Sequence, residues 1–84
     1  MSEMRYGRVP LRSSNQILNA LKRLGVQEGR ARSTSHRFLF RTLPDGSKPS
    51  RPLPMGEREV PRGTLRAILE GLEISLEDFL EALR

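Results

Sequence analysis

Large apolar residues recur at helical spacing in three separate stretches of this chain, so it must fold with three amphipathic helices. In each stretch the residues lie mostly three or four positions apart, which places them on one face of a helix. The three sets are Ile17, Leu18, Leu21 and Leu24; Leu65, Ile68, Leu69 and Leu72; and Leu76, Phe79, Leu80 and Leu83. We predict a helix over residues 14–24, a second that starts near Pro61, and a third that starts at Ser75.

The first helix also carries signals for its two ends. Ser13 or Ser14 is a plausible N-cap, because a hydroxyl can accept a hydrogen bond from the exposed amides of a first helical turn. Gly25 follows the last apolar residue of the stripe. Glycine adopts the left-handed conformation that commonly ends a helix, so we expect the helix to stop there.

The segment between the first two helices favours strands. Residues 36–42 alternate basic and aromatic side chains, with Phe38 and Phe40 on one face and the arginines on the other. His36 shares the parity of the two phenylalanines, at the start of the strand, where twist or a bulge would expose it. A turn is predicted at residues 43–47, and a return strand over about 47–55. Because that strand contains three prolines, it suits only the edge of a sheet.

A weaker strand signal over residues 26–32 completes the predicted order of helix, three strands, helix and short C-terminal helix. This order indicates an α+β fold with a small antiparallel sheet covered on one face. A chain of 84 residues forms a single domain. We expect residues 1–8 to be a flexible N-terminal arm and residues 9–84 to be the domain.

Charge is the compositional feature that bears on function. Thirteen of the fifteen basic residues are arginines, whose planar donors match phosphate groups and stack on bases. Residues 1–66 carry a net charge of +9 and residues 67–84 a net charge of −4. This split predicts a cationic surface for a polyanion and a separate acidic end. The absence of cysteine excludes disulfides and thiolate chemistry. No apolar run resembles a membrane span or a signal peptide, so we expect a cytoplasmic protein.

His36 is the only histidine and our candidate catalytic residue. A neutral imidazole can take the proton of an RNA 2′-hydroxyl, and nearby guanidiniums can stabilise the charge that develops on the phosphate. We expect no metal and no other cofactor. The acidic residues are either scattered in a turn and a loop or lie on the solvent-facing side of the last helices, and they do not form a set of converging ligands. The expected substrate-binding residues are Ser35, Arg30, Arg32, Arg37, Lys48 and Arg51.

Several segments together resemble the HicA family of mRNA interferase toxins. They are Val9-Pro10, Ser13, Leu21-Lys22-Arg23-Leu24-Gly25, Ser35-His36, Pro44-Asp45-Gly46, Pro54, Arg62-Gly63-Thr64-Leu65-Arg66-Ala67-Ile68-Leu69 and Ile74-Ser75. The resemblance covers about residues 9–80. It implies a fold similar to the double-stranded RNA-binding domain, α-β-β-β-α, here with an additional short C-terminal helix. It also implies metal-independent cleavage of mRNA by the histidine of a Gly-Ser-His motif, and neutralisation by a HicB-type antitoxin protein.

Three positions depart from the family pattern. Thr34 replaces the glycine of the motif, Met55 stands where a basic residue or histidine is found, and Glu73 replaces a glycine between the last two helices.

Two alternative functions are also compatible with this composition. One is a non-catalytic RNA- or DNA-binding module that needs no His36, and the other is a protein that mainly forms complexes. For a nuclease, the leaving 5′-oxygen would take its proton from water, an arginine or His36.

Overall fold

The structure is a computed structural model that describes residues 6–29 and 35–84. Along the chain these residues form helix α1 (Ser14–Arg23), strands β1 (Gln27–Glu28), β2 (His36–Phe40) and β3 (Ser50–Pro54), and helices α2 (Arg62–Gly71) and α3 (Leu76–Ala82). The strands form one antiparallel sheet in the order β1-β2-β3. The predicted α+β class and order of elements are confirmed.

The core lies between the helices and one face of the sheet. Leu39 of β2 and Leu53 of β3 point toward the helices and are fully buried. They join the apolar stripes of the helices, whose fully buried members include Ile17, Leu21, Leu69, Leu72 and Phe79. The predicted stripes of α1 and α2 are confirmed. In α3 the stripe is narrower than predicted, because Leu80 is 37% exposed.

Helices α1 and α2 end in the same hydrogen-bonded motif. After α1, the amide of Val26 donates to Leu21 O and that of Gly25 donates to Lys22 O. After α2, the amide of Ile74 donates to Leu69 O and that of Glu73 donates to Glu70 O. Both patterns are Schellman motifs, which require a left-handed residue just after the helix. Gly25 fills that position after α1 with φ +89°, and Glu73 fills it after α2 with φ +57°.

Replacing Glu73 with glycine is expected to stabilise the protein. A non-glycine residue in the left-handed region costs about 1–2 kcal/mol of stability, and glycine removes this cost. The greater conformational freedom of glycine in the unfolded chain lowers the stability by about 0.4–1 kcal/mol. We therefore expect a net increase of about 0.5–1 kcal/mol in the free energy of unfolding, measured by urea denaturation. Glu73→Ala, which removes the charge and keeps the strain, is the control. Equal effects of the two substitutions would contradict this explanation.

Ser14 connects the start of α1 to the end of β3. Its side chain is buried, and its hydroxyl donates to Pro54 O at 2.7 Å and accepts from the Glu57 amide at 3.1 Å. The Ser14 amide in turn donates to Glu57 O. Ser13 is the N-cap, with a complete capping box in which Gln16 takes part. Ser13 therefore caps the helix, and Ser14 binds the helix to the sheet.

Ser14→Ala is expected to lower the free energy of unfolding by about 1–3 kcal/mol. The substitution removes both hydroxyl bonds and leaves partly buried backbone groups at Pro54 and Glu57 without them. Urea denaturation followed by circular dichroism measures the change. The control is Ser47→Ala, which removes an exposed hydroxyl in a turn. If Ser14→Ala lowers the free energy of unfolding no more than Ser47→Ala does, the hydrogen bonds of the Ser14 hydroxyl contribute nothing to stability.

The turn between β2 and β3 forms where it was predicted. Gly46 has φ +88°, and its amide donates to Leu43 O. The Asp45 carboxylate accepts hydrogen bonds from the side chain and the amide of Ser47, and these bonds lower the pKa of Asp45. These hydrogen bonds stabilise the turn that Pro44 and Gly46 predict.

The first described residues differ from the arm that we expected. Tyr6 and Val9 belong to the buried core, and Arg62 Nε donates to Val9 O at 2.8 Å. The Arg66 guanidinium lies over the Tyr6 ring, 5.7 Å from its centre. The N-terminal segment is thus held against α2 from residue 6 onward, and the part of the predicted arm over residues 1–5 lies outside the described residues. Isolated apolar residues without periodicity gave no signal of this contact.

Candidate functional site

His36 is the first residue of β2 and is exposed. Alternation along the strand places its side chain on the face of the sheet opposite the helices, together with Phe38 and Phe40. The register with β3 is continuous, with His36 opposite Pro54 and Phe40 opposite Ser50. No bulge is therefore needed to expose the imidazole. The whole aromatic face of β2 points outward, and Leu39 supplies the core contact.

The Ser35 hydroxyl oxygen lies 3.1 Å from Nδ1 of His36. The backbone of Ser35 is fixed in turn, because the amide of Met55 donates to Ser35 O at 2.7 Å. When Nδ1 carries the hydrogen and donates it to the serine oxygen, Nε2 keeps its lone pair and can act as a base. The contact with Ser35 therefore orients the imidazole ring.

A groove of about 420 Å³ adjoins His36. It lies between the open edge of β3 and the first two turns of α2. Its lining combines polar groups with an apolar surface and consists of His36, Arg51, Pro52, Pro54, Gly63, Thr64, Ala67 and Ile68. The imidazole is thus one wall of a cleft that a small ligand can enter.

The prolines of β3 shape this edge of the sheet. The Met55 amide donates to Ser35 O, and the Arg41 amide donates to Pro49 O, at the two ends of the β2–β3 ladder. Because paired positions alternate along an antiparallel ladder, the amides of residues 52 and 54 would face away from β2. Pro52 and Pro54 therefore cost the sheet no hydrogen bond and remove two donors from the open edge. The predicted edge position of β3 is confirmed.

Arg51 brings a positive charge to the groove. It is exposed, and its guanidinium donates to Ser50 O. No ion pair to Arg51 is found within residues 6–29 and 35–84. A methyl group at Gly71 would overlap the stem and guanidinium of Arg51, so this glycine gives the arginine room beside α2. The guanidinium is thus available to an anion that enters the groove.

Arg37 lies on the other face of the sheet. Its guanidinium pairs with Glu28 at 2.9 Å, and Lys22 pairs with the same carboxylate at 2.6 Å. The hydrogen bond from Lys22 is the main cause that lowers the pKa of Glu28, with further contributions from the charges of Lys22 and Arg37. This cluster connects α1, β1 and β2. The structure therefore separates Arg37 from His36, although the two are neighbours in sequence.

The remaining candidates are placed as follows. Lys48 is exposed in the segment between β2 and β3, at the end of the hairpin opposite His36. Five paired positions separate the two ends, roughly 14 Å along the strand. Arg30 and Arg32, which were also expected to bind substrate, lie outside the described residues. Thr34, which replaces the glycine of the motif, lies outside them too. Of the predicted site residues, the structure brings Ser35 into contact with His36, and it places Arg51 at the other end of the same groove, with its guanidinium beside Ser50 and Gly71.

Sequence reasoning missed the contribution of α2 to the groove. Gly63, Thr64 and Ala67 had been noted only within a predicted helix and within the segment that resembles the HicA family, with no role in a site, yet they form a wall of the groove. The missed signal is that small residues recur every four positions on the flank of this helix, at 63, 67 and 71. Arg41 was also missed, since its guanidinium donates to Leu72 O and Glu73 O and so caps α2.

Two findings concern other classes of site. No group of three or more His, Cys, Asp or Glu side chains within the described ranges is arranged to hold a metal ion. Among the helices that the structure describes, none combines the length and the apolar character that a bilayer span requires.

No model of a known protein family matches the chain, and no curated protein matches it.

Proposed function

We propose that this protein is a metal-independent endoribonuclease that uses His36 as its general base. One observation carries the proposal: an exposed imidazole, bonded through Nδ1 to Ser35, lies at one end of a groove that Arg51 lines at the other end. The imidazole is the base that phosphodiester transfer to a neighbouring hydroxyl needs, and the arginine attracts the charged backbone of the substrate. The net charge of +9 over residues 1–66 favours a polyanionic substrate.

The reaction is an internal transfer at phosphorus. Nε2 of His36 takes the proton of the RNA 2′-hydroxyl, and the 2′-oxygen attacks the adjacent phosphorus. The bond from phosphorus to the 5′-oxygen then breaks, which yields a 2′,3′-cyclic phosphate and a 5′-hydroxyl. Arg51, whose guanidinium lies at the Ser50 end of β3, binds a neighbouring phosphate of the strand. The leaving 5′-oxygen takes a proton from water, from an arginine or from the His36 imidazolium.

The biological setting is proposed from the resemblance to HicA toxins. The order α-β-β-β-α with a further short helix supports a fold like that of the double-stranded RNA-binding domain. In that setting the substrate is mRNA in the cytoplasm, and a HicB-type antitoxin protein binds the toxin and covers His36. Expression of the chain alone is then expected to stop growth, and coexpression of its antitoxin to restore it.

The decisive experiment compares RNA and DNA of the same sequence in the presence of EDTA. We expect cleavage of the RNA and none of the DNA, because DNA lacks the attacking 2′-hydroxyl. The RNA fragments should carry 2′,3′-cyclic phosphates and 5′-hydroxyls, which mass spectrometry and end-labelling identify. Cleavage of the DNA, or fragments with 3′-hydroxyls, would exclude this mechanism.

A non-catalytic RNA- or DNA-binding module is the competing function. It predicts that the wild-type protein leaves RNA intact and binds it with an affinity that falls steeply with salt. It also predicts that His36→Ala leaves this affinity unchanged. Binding without cleavage, under conditions in which the protein is folded, would favour this alternative.

A further inference from the structure

The groove beside His36 extends beyond what proton transfer alone would need. At about 420 Å³ it lies within the range of small-molecule sites, about 300–1,000 Å³. Besides His36, Arg51 and Thr64, the lining is largely apolar and includes the rings of Pro52 and Pro54 together with Ala67 and Ile68. The acid–base chemistry proposed above uses none of these four residues.

Thr64 is the polar group on the α2 side of this groove. Its side chain is half-buried. Within the described ranges no side-chain hydrogen bond engages its hydroxyl. A hydroxyl offers one donor and two acceptor positions. It is therefore free to bond to a ligand that rests on the apolar surface next to it.

We propose that the groove binds one unpaired nucleotide of single-stranded RNA, with its base on the apolar surface, its 2′-hydroxyl at His36 and a neighbouring phosphate of the strand at Arg51. This inference rests on the proposed function and adds the substrate class. Flat base faces bind apolar side chains irrespective of sequence, and the arginine complements the phosphate charge. The nucleotide so held is the one whose 2′-hydroxyl loses its proton to His36.

The shape of the groove determines which RNA is cut. A cleft for one base requires that base to leave its stack, and unstacked bases occur in single strands, loops and bulges. A base within a duplex is stacked on both sides and cannot lie against Pro52 and Ala67. The protein therefore cuts single-stranded RNA and spares duplex RNA. Thr64 contacts the edge of the bound base and sets a preference among the four bases.

The test variant is Ala67→Leu. Ala67 is exposed on α2, and leucine is nearly as good a helix former as alanine, so the fold is retained. The longer side chain occupies the groove. We expect cleavage of an unstructured RNA of mixed sequence to fall about tenfold or more, since misplacement by about 1 Å can cost 10²-fold. Asn15→Leu, which adds the same bulk to the exposed face of α1, is the control and should cleave at the wild-type rate.

Thr64→Val is the second variant, and it tests base selection. Valine keeps the shape of threonine and removes the hydroxyl. Sequencing of the cut sites should show a changed base distribution on the 5′ side of the cut. Thr42→Val, at an exposed position outside the groove, should leave the distribution unchanged. An unchanged distribution for Thr64→Val would remove Thr64 from the site.

A binding measurement separates this inference from the nuclease proposal. Each of the four nucleoside 3′-monophosphates is titrated while amide resonances are followed by NMR. We expect shifts at Gly63, Thr64 and Ala67 in the wild type and in His36→Ala, and none in Ala67→Leu. Shifts without RNA cleavage would support the nucleotide site and overturn the nuclease. Cleavage that Ala67→Leu leaves intact would overturn the nucleotide site and show that the groove serves another ligand, such as a protein segment.

Discussion

His36→Ala is expected to slow RNA cleavage by about 10²- to 10⁴-fold, which is the usual contribution of a positioned general base. The loss should lie in the chemical step, because the arginines that attract the RNA are untouched. Single-turnover cleavage with the protein in excess measures that step directly. The equilibrium affinity for uncleaved DNA of the same sequence should stay within a factor of about two, since phosphate contacts dominate it.

The interpretation of this result depends on the fold being intact. His36 is exposed, and among the described residues its side chain is hydrogen-bonded to Ser35 alone, so the substitution should change the free energy of unfolding by no more than about 0.5 kcal/mol. Lys48→Ala is the matched control, because it removes an exposed cation at the other end of the same hairpin. It should reduce affinity slightly and leave the chemical step unchanged. Cleavage, or growth arrest, that survives His36→Ala would eliminate the mechanism.

The elements of the fold followed from periodicity where the apolar repeat was long. Helices α1 and α2 each carry four apolar residues over two turns. The structure has α1 within a residue of its predicted bounds and starts α2 directly after Pro61, as predicted. Helix α3 has only seven residues, and its predicted stripe included Leu80, which is exposed. A helix of seven residues packs against too few neighbours to cover a full stripe, and the sequence pattern does not reveal which member stays uncovered.

Strand β2 shows what alternation can and cannot determine. The parity of its side chains was predicted correctly, so His36, Phe38 and Phe40 share a face. Alternation alone does not say which face is buried, and composition favoured the aromatic side. The structure buries Leu39 instead. The face of Leu39 also carries Arg37 and Arg41, which reach Glu28 and the end of α2, and these partners are distant in sequence.

The groove was beyond sequence reasoning for a related reason. Its walls come from β3 and α2, and only their contact turns Pro52, Pro54 and Ala67 into one surface. The sequence selected His36 as the only histidine and Ser35 as its neighbour along the chain, and the family motif contains the same pair. Arg51 was selected for its charge, and the structure places it at the groove because β3 returns beside β2. Arg37, selected for its place in the sequence, faces the other way.

Phe79→Ala is expected to have the largest effect on stability, about 3–5 kcal/mol of the free energy of unfolding. Phe79 is fully buried and is among the largest side chains of the core. A domain of 84 residues has a total of only about 4–13 kcal/mol. The loss therefore removes a large share of the stability and leaves a substantial unfolded population in the less stable part of that range.

Leu80→Ala is the internal control for this prediction. Leu80 is the next residue of α3 and is 37% exposed, so its truncation leaves no enclosed cavity and should cost less than about 1 kcal/mol. Urea denaturation of both variants, followed by circular dichroism, gives the comparison. If the two substitutions cost the same, α3 does not cover the core through Phe79. The contacts between α1 and α3 would then contribute little, and the stability would come from α1, α2 and the sheet.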